Sequence, residues 1–236
     1  MRINKYVSET GFCSRRATDR FIREQRITIN GEICLAGAEV EPGDIVQIDG
    51  QNLPSKEAPV YIALHKPRGI VCTHAEGVKD NIADYMNYPV RIFPIGRLDK
   101  DSEGLILLTN DGSIVNRMMR AEHGHEKEYV VTVNKEVTEE FLRQMAEGVE
   151  ILNTVTLPCR TYPIAPDCFG IVLTQGMNRQ IRRMCKTLGY SVTRLRRERI
   201  MNIELSDLPL GQWRDLTDRE LQDLLQLLTE KTDFVR

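Results

Sequence analysis

The chain has 236 residues, 41% of them hydrophobic and 28% charged, with a formal net charge of −2. That length can bury a substantial core in one large or two unequal domains, and the composition excludes an intrinsically disordered chain. No run approaches the roughly 18 apolar residues of a membrane span, and the start, Met1-Arg2-Ile3-Asn4-Lys5-Tyr6, has no signal-peptide core. None of the six cysteines is paired in Cys-x-x-Cys spacing, which argues against a zinc site. The expectation is a cytoplasmic protein with reduced thiols, no metal and no membrane partner.

Residues 1–50 read as a small unit. Ile3, Tyr6 and Val7 have helical spacing, and Ser14 caps a second helix that carries Arg16, Arg20 and Arg23 on one face. Asn30-Gly31 between two β-prone triplets predicts a hairpin, because both turn positions need φ > 0. Pro42-Gly43-Asp44 predicts a turn before a strand at 45–48. Residues 51–59 are polar, hold two prolines and lack periodicity, so they read as a linker.

From residue 60 to 236 the pattern mixes strands and helices without regular alternation. Val60–Leu64, Leu105–Thr109, Glu128–Val133 and Gly170–Thr174 read as extended. Thr138 opens one helix, and Thr217 with Glu220 forms a capping box for another, striped by Leu221, Leu224, Leu225 and Leu228. This predicts an α+β domain with a mainly antiparallel sheet.

Positive charge is concentrated between Gln175 and Arg199. Arg179, Arg182, Arg183, Lys186, Arg194, Arg196, Arg197 and Arg199 accompany a single acid, Glu198. In the first half, the four cations share one helical face and Ile181, Met184, Cys185 and Leu188 the other, with Asn178 as the expected N-cap and Gly189 after the C-terminus. Leu195 interrupts the basic run on a strand. One-sign runs repel themselves and usually face an anion, so nucleic acid is the expected partner.

The segment Gly96-Arg97-Leu98-Asp99-Lys100-Asp101-Ser102-Glu103-Gly104 places three carboxylates within five residues, just before an apolar run. A calcium loop is disfavoured, because Asn110 stands where a bidentate Glu is needed. A braced turn and a catalytic carboxylate both fit. A buried nucleophilic Asp needs a cationic neighbour to stay ionised. These residues alone do not choose between the two readings, nor say which acid acts. His123 and His125 have the look of a metal pair but read as a polar loop, and Lys66-Pro67 as a loop-shaping pair.

Gly96-Arg97-Leu98-Asp99, Lys127-Glu128-Tyr129 and the run from Gln175 to Met184, together with Lys66-Pro67-Arg68-Gly69, resemble the successive motifs of the RsuA/RluB/RluE/RluF group of RNA pseudouridine synthases. Residues 1–50 resemble the S4-like RNA-binding domain that precedes the group's catalytic domain. The wording around Phe93–Asp101, His125–Tyr129 and Pro209–Thr217 is most similar to the RluF branch. The resemblance implies a pseudouridine synthase fold at 60–236, a mixed but mainly antiparallel sheet with flanking helices.

The same resemblance implies roles. Asp99 is the implied nucleophile, Arg182 its ion-pair partner, Tyr129 the ring that stacks on the target base and Leu195 the packing from the other side. Arg16, Arg20, Arg23, Arg97, Arg179, Arg183, Lys186, Arg194 and Arg196 are the expected RNA contacts. The implied reaction isomerises uridine to pseudouridine in large-subunit (23S) ribosomal RNA, with tRNA as a further substrate. It needs no cofactor, and a monomer is expected. The alternatives are a small-subunit rRNA enzyme of the RsuA kind and a non-catalytic ribosome assembly factor.

Overall fold

A computed structural model describes residues 1–75, 77–119 and 124–233. The chain divides into two compact units. One is residues 1–60 with 88–92 and 110–112, and the other is the remainder.

The first unit opens with α1 (Ile3–Glu9) and α2 (Arg15–Arg23). Ser14 accepts a hydrogen bond from the Ala17 N–H, as its capping role requires. A four-stranded antiparallel sheet follows: β1 (Ile27–Ile29), β2 (Glu32–Ile33), β3 (Val46–Ile48) and β4 (Gln51–Asn52), in the order β2-β1-β3-β4. Asn30 and Gly31 take φ of 53° and 86°, which closes the β1–β2 hairpin. Ile3, Val7, Ile22, Ile27, Val46 and Ile48 form the core of this unit. Arg16, Arg20 and Arg23 stand exposed on α2.

β4 corrects the expectation of a linker from residue 51. Asp49 and Gly50, at φ 52° and 74°, form a second two-residue hairpin turn that returns Gln51 and Asn52 to pair with Ile48 and Gln47. Asp-Gly is a hairpin signal of the same kind as Asn-Gly.

The second unit holds β5 (Tyr61–Lys66), α3 (Ile82–Met86), β6 (Phe93–Ile95), β7 (Glu103–Thr109), α4 (Gly112–Met119) and β8 (Lys127–Val133). Then come α5 (Glu139–Glu147), β9 (Glu150–Ile151), β10 (Thr154–Val155), β11 (Arg160–Ala165), β12 (Cys168–Leu173) and α6 (Gln180–Thr187). β13 (Val192–Ile200), β14 (Ile203–Glu204), β15 (Trp213–Asp215) and α7 (Asp218–Asp233) complete it. Its main sheet runs β11-β12-β8-β13-β7-β5-β15, with β14 beside β13 and β6 beside β7. Every pairing is antiparallel except β13 with β7.

β7 is buried along its whole length, which explains its continuous apolar run. α5 and α6 cover one region of the sheet, where Phe141, Met145, Ile181, Met184 and Cys185 pack on Val131, Phe169, Ile171 and Leu195. Burying Ile181 and Met184 contributes about 1.5–3 kcal/mol each. That packing fixes the rotation of α6 and hence where its arginines point. Thr138 caps α5 through the Phe141 N–H. Thr217 and Glu220 exchange the two bonds of a capping box at the start of α7.

The α6 cap differs from expectation. Arg179, not Asn178, is the N-cap, in the left-handed region at φ 51°. Asn178 instead accepts two bonds from Arg183, at its main-chain oxygen and at Oδ1. A left-handed non-glycine residue costs about 1–2 kcal/mol, and Arg179 borders the pocket described next. At the other end Gly189 takes φ 78°, and the Gly189 and Tyr190 N–H groups bond to Lys186 and Cys185 in a Schellman closure.

Candidate active site

A pocket of about 490 Å³ opens in the second unit, bordered by Asp99, Tyr129, Arg182 and Leu195 together with Lys127 and Arg197. That volume lies in the usual range for a small-molecule site.

Asp99 sits on the loop between β6 and β7. This loop is anchored from several sides. The Ser102 N–H closes a turn onto the Asp99 carbonyl, and the Gly69 N–H donates to the Lys100 carbonyl. Lys66, with a side chain 0% exposed, donates to the carbonyls of Pro67 at 2.9 Å and Ser102 at 2.8 Å. Its ammonium thus replaces water for two main-chain oxygens, which is the loop-shaping role expected of it. Burial pulls it down to about 8.

Two guanidinium groups approach the Asp99 carboxylate. Arg179 Nη1 and Arg182 Nε lie 3.8 Å and 4.0 Å from Oδ2. Arg182 spends its other nitrogens on the frame, donating to the Asp101 carbonyl and Ser102 Oγ at 3.2 Å and to the Val192 carbonyl at 3.4 Å. Burial, and next the charge of Arg179, lower its pKa. The arrangement sets a carboxylate beside two guanidinium groups at the border of a half-closed pocket.

The pocket wall follows from strand periodicity. Tyr129 on β8 lies opposite Arg197 on β13, and Val131 opposite Leu195. Side chains alternate along strands, so Lys127, Tyr129, Leu195 and Arg197 share one sheet face. Tyr129 offers a ring and Leu195 an apolar surface, the two components of a slot for a flat base.

Arg197 belongs to the basic run and Lys127 to the Lys127-Glu128-Tyr129 motif, but nothing in the sequence places either in the pocket. The signal that could have found them is their position two residues from Tyr129 and Leu195. Arg197 is 3% exposed, donates to the Leu105 and Arg97 carbonyls, and has its Cζ 6.0 Å from the Tyr129 ring centroid. Burial, with Arg197 next, pulls Lys127 down to about 8.

The expected RNA contacts separate into groups. Arg97 and Arg179 border the pocket and are exposed. Lys186 is exposed, and Arg183 is held by Asn178, as above. Arg194 and Arg196 do not join the pocket. Alternation turns them to the other face of β13, where Arg194 pairs with Glu103 at 2.6 Å and Arg196 with Glu198. Arg199 likewise pairs with Glu126 and Glu128, both at 2.9 Å. Part of the basic run is therefore neutralised within the chain.

Glu103 bonded to Arg194 also removes it from any common ligand set with Asp99 and Asp101. Among the described residues no cluster of three or more His, Cys, Asp or Glu is placed to hold a metal. His125 is buried at the pocket edge, with Nε2 3.0 Å from the Arg117 carbonyl. His123 lies outside the described residues. Among the described residues no helix is long and apolar enough to cross a membrane.

The sequence profile described as RNA pseudouridylate synthase matches residues 60–187. The chain belongs to the RNA pseudouridylate synthase family. The profile of the S4 domain matches residues 1–46 ahead of it. This pseudouridylate synthase is 54% identical to the dual-specificity RNA pseudouridine synthase RluF of Escherichia coli, over 100% of the chain and 82% of the relative. It is 34% identical to the ribosomal small subunit pseudouridine synthase A of Yersinia pestis, over 94% of the chain and 97% of the relative. A solved pseudouridylate synthase crystal structure superimposes with a TM-score of 0.70 at 30% identity, covering 95% of this chain and 99% of that one. The mainly antiparallel catalytic sheet behind an S4 domain is thus the fold of this family, and the chain is an isomerase acting on RNA.

Proposed function

We propose that this synthase converts a uridine of large-subunit (23S) ribosomal RNA to pseudouridine, accepts a tRNA as well, and uses Asp99 as its nucleophile. The observation that carries the chemistry is the convergence of Asp99, Arg182, Tyr129 and Leu195 on one pocket from four separate elements. The two-substrate reading rests on the 54% identity with a relative named for dual specificity. Residues 1–50 serve as an RNA-binding domain and 60–236 as the catalytic domain. The protein works as a cytoplasmic monomer.

The target nucleotide is turned out of its stack, at a cost of a few kcal/mol, and its base enters between Tyr129 and Leu195. Asp99, flanked by Arg182 and Arg179, adds to the nucleotide. The N-glycosidic bond breaks, the base turns in place, and the sugar is rejoined through C5. The walls keep the detached base from escaping. Substrate and product are isomers, so the overall reaction needs no oxidant, reductant or energy source.

The test is pseudouridine mapping of 23S rRNA, 16S rRNA and tRNA incubated with wild-type protein and with Asp99→Asn. Product in 23S rRNA and tRNA from the wild type only is the expected outcome. Product confined to 16S rRNA would support the small-subunit alternative. No product from either protein, with RNA still bound, would support the assembly factor.

A further inference from the structure

Arg197 is a cation with nowhere to put its charge inside the protein. It is 97% removed from solvent, and among the described residues no carboxylate lies within ion-pair distance. Its Nε and Nη1 are used on the carbonyls of Leu105 and Arg97, while Nη2 is buried without a hydrogen-bond partner. An unpaired charge and an unused donor inside a protein are both costly, and native structures rarely keep them without a use. Lys127, on the same sheet face, adds a second positive charge.

We propose that the Arg197 guanidinium, which borders the pocket, binds an exocyclic oxygen of the target uracil, and that it does so both before and after the base rotates. This rests on the reading above, in which the base stacks on Tyr129. Arg197 stands directly across the strand pair from Tyr129, with its Cζ 6.0 Å from the ring centroid, so a base held by Tyr129 lies close to the guanidinium.

The chemistry explains why a cation belongs there. If Asp99 adds at C1′, the C1′–N1 bonding pair withdraws into the ring and is shared by N1, O2 and O4. If it adds at C6, the C5–C6 π pair moves onto O4. Either way charge collects on exocyclic oxygen, and a fixed donor in a closed pocket stabilises it where it develops. Rotation about the N3–C6 axis exchanges N1 with C5 and O2 with O4. A donor at one carbonyl position therefore holds one oxygen before the turn and the other after it. The ring pair then forms the C5–C1′ bond as Asp99 is released, C5 gives up its proton, and N1 takes one from water.

The test is a cycle between protein and substrate, in single-turnover reactions on RNA carrying uridine, 2-thiouridine or 4-thiouridine at the target. Sulfur is the weaker acceptor. Wild-type protein is expected to slow about tenfold with each thio base. Arg197→Met is expected to be slow with uridine but to show less than about twofold further loss with either thio base, because the affected bond is already gone. A purely structural role for Arg197 would leave the thio penalties unchanged, and that result overturns the proposal. Arg197→Lys, which keeps the charge, covers the case in which the methionine variant does not fold. If neither variant folds, wild-type indifference to both thio bases still overturns it. Absence of product from wild type on the uridine RNA would instead remove the underlying assignment.

Discussion

Arg182 Nε faces the Asp99 carboxylate across 4.0 Å, and that nitrogen has no hydrogen-bond partner of its own. The rest of the guanidinium is fixed by Val192, Asp101 and Ser102. Arg182 is thus tied to the same loop that carries Asp99, which keeps the two in register. A lysine supplies charge but not the planar fork. Arg182→Lys is expected to lower the single-turnover rate about 100-fold and to change RNA affinity less than about threefold. Rate loss matched by an equal affinity loss would make Arg182 an RNA contact instead.

The three carboxylates of the 99–103 segment are expected to behave differently. Asp99→Asn should abolish turnover, by more than about 1,000-fold, with the melting temperature kept. Glu103→Gln replaces the charged partner 2.6 Å from the Arg194 guanidinium by a neutral amide and should cost about 1 kcal/mol of stability while retaining most activity. Asp101 is exposed, and Asp101→Asn should do little to either. Thermal melts and pseudouridine mapping on the three variants separate them. An inactive but fully stable Glu103→Gln protein would move the nucleophile assignment.

Gly104 on β7 lies directly against the Arg197 main chain of β13. At φ 112°, a Cβ there would lie 2.4 Å from the Arg197 main-chain nitrogen and oxygen. Those atoms belong to a strand in the sheet and cannot swing away. Gly104→Ala should cost more than about 2 kcal/mol and push Arg197 and the Asp99 loop apart. Denaturant melts should show the loss, and activity should fall further than the folded fraction does.

The pocket should lose positive charge as pH rises through about 8, the value to which burial and Arg197 bring Lys127. The single-turnover rate is expected to fall above that pH, and Lys127→Met should flatten the limb by lowering the rate at neutral pH. Lys66 titrates in the same range, so a limb that survives Lys127→Met belongs to Lys66. The folded value of Lys127 lies below its ordinary 10.5, so between about 8 and 10.5 the unfolded chain binds more protons. This group's contribution to stability therefore rises with pH across that window. Melts of wild type and Lys127→Met over the same pH range check the sign.

The exposed arginines of α2 should contribute through phosphate contacts alone. Replacing Arg16, Arg20 and Arg23 together by Gln should reduce the salt slope of RNA binding by about two. Turnover at saturating RNA should hold. An unchanged slope would take α2 out of the RNA interface.

Local signals in the sequence were sufficient for much of the fold. The Asn30-Gly31 turn, the caps at Ser14 and Thr138 and the Thr217–Glu220 box each depend on a few neighbouring residues, so they are legible without the fold. The apolar face of α6 was legible for the same reason, and the order of motifs pointed to Asp99. Where two local options compete, the sequence misled. Asn178 is a better cap than Arg179 by propensity, yet packing of Ile181 and Met184 starts the helix one residue later and leaves Asn178 to Arg183. The basic run read as one surface because charge was counted along the chain. A strand instead sends alternate residues to opposite faces, so Arg194 and Arg196 meet Glu103 and Glu198, while Leu195 and Arg197 enter the pocket.

By itself the sequence determined the Asn30-Gly31 hairpin, the helix caps at Ser14, Thr138 and Thr217, the acid loop and the pattern of motifs, because those follow from bonded neighbours and turn chemistry. Only the tertiary structure decided that Asp99, Tyr129, Arg182 and Leu195 meet. They come from a loop, two strands and a helix, and the parallel pairing of β13 with β7 brings Arg197 beside the loop at residue 97. That pairing is a contact across some 90 residues of chain, set by burial and sheet register rather than by any local preference.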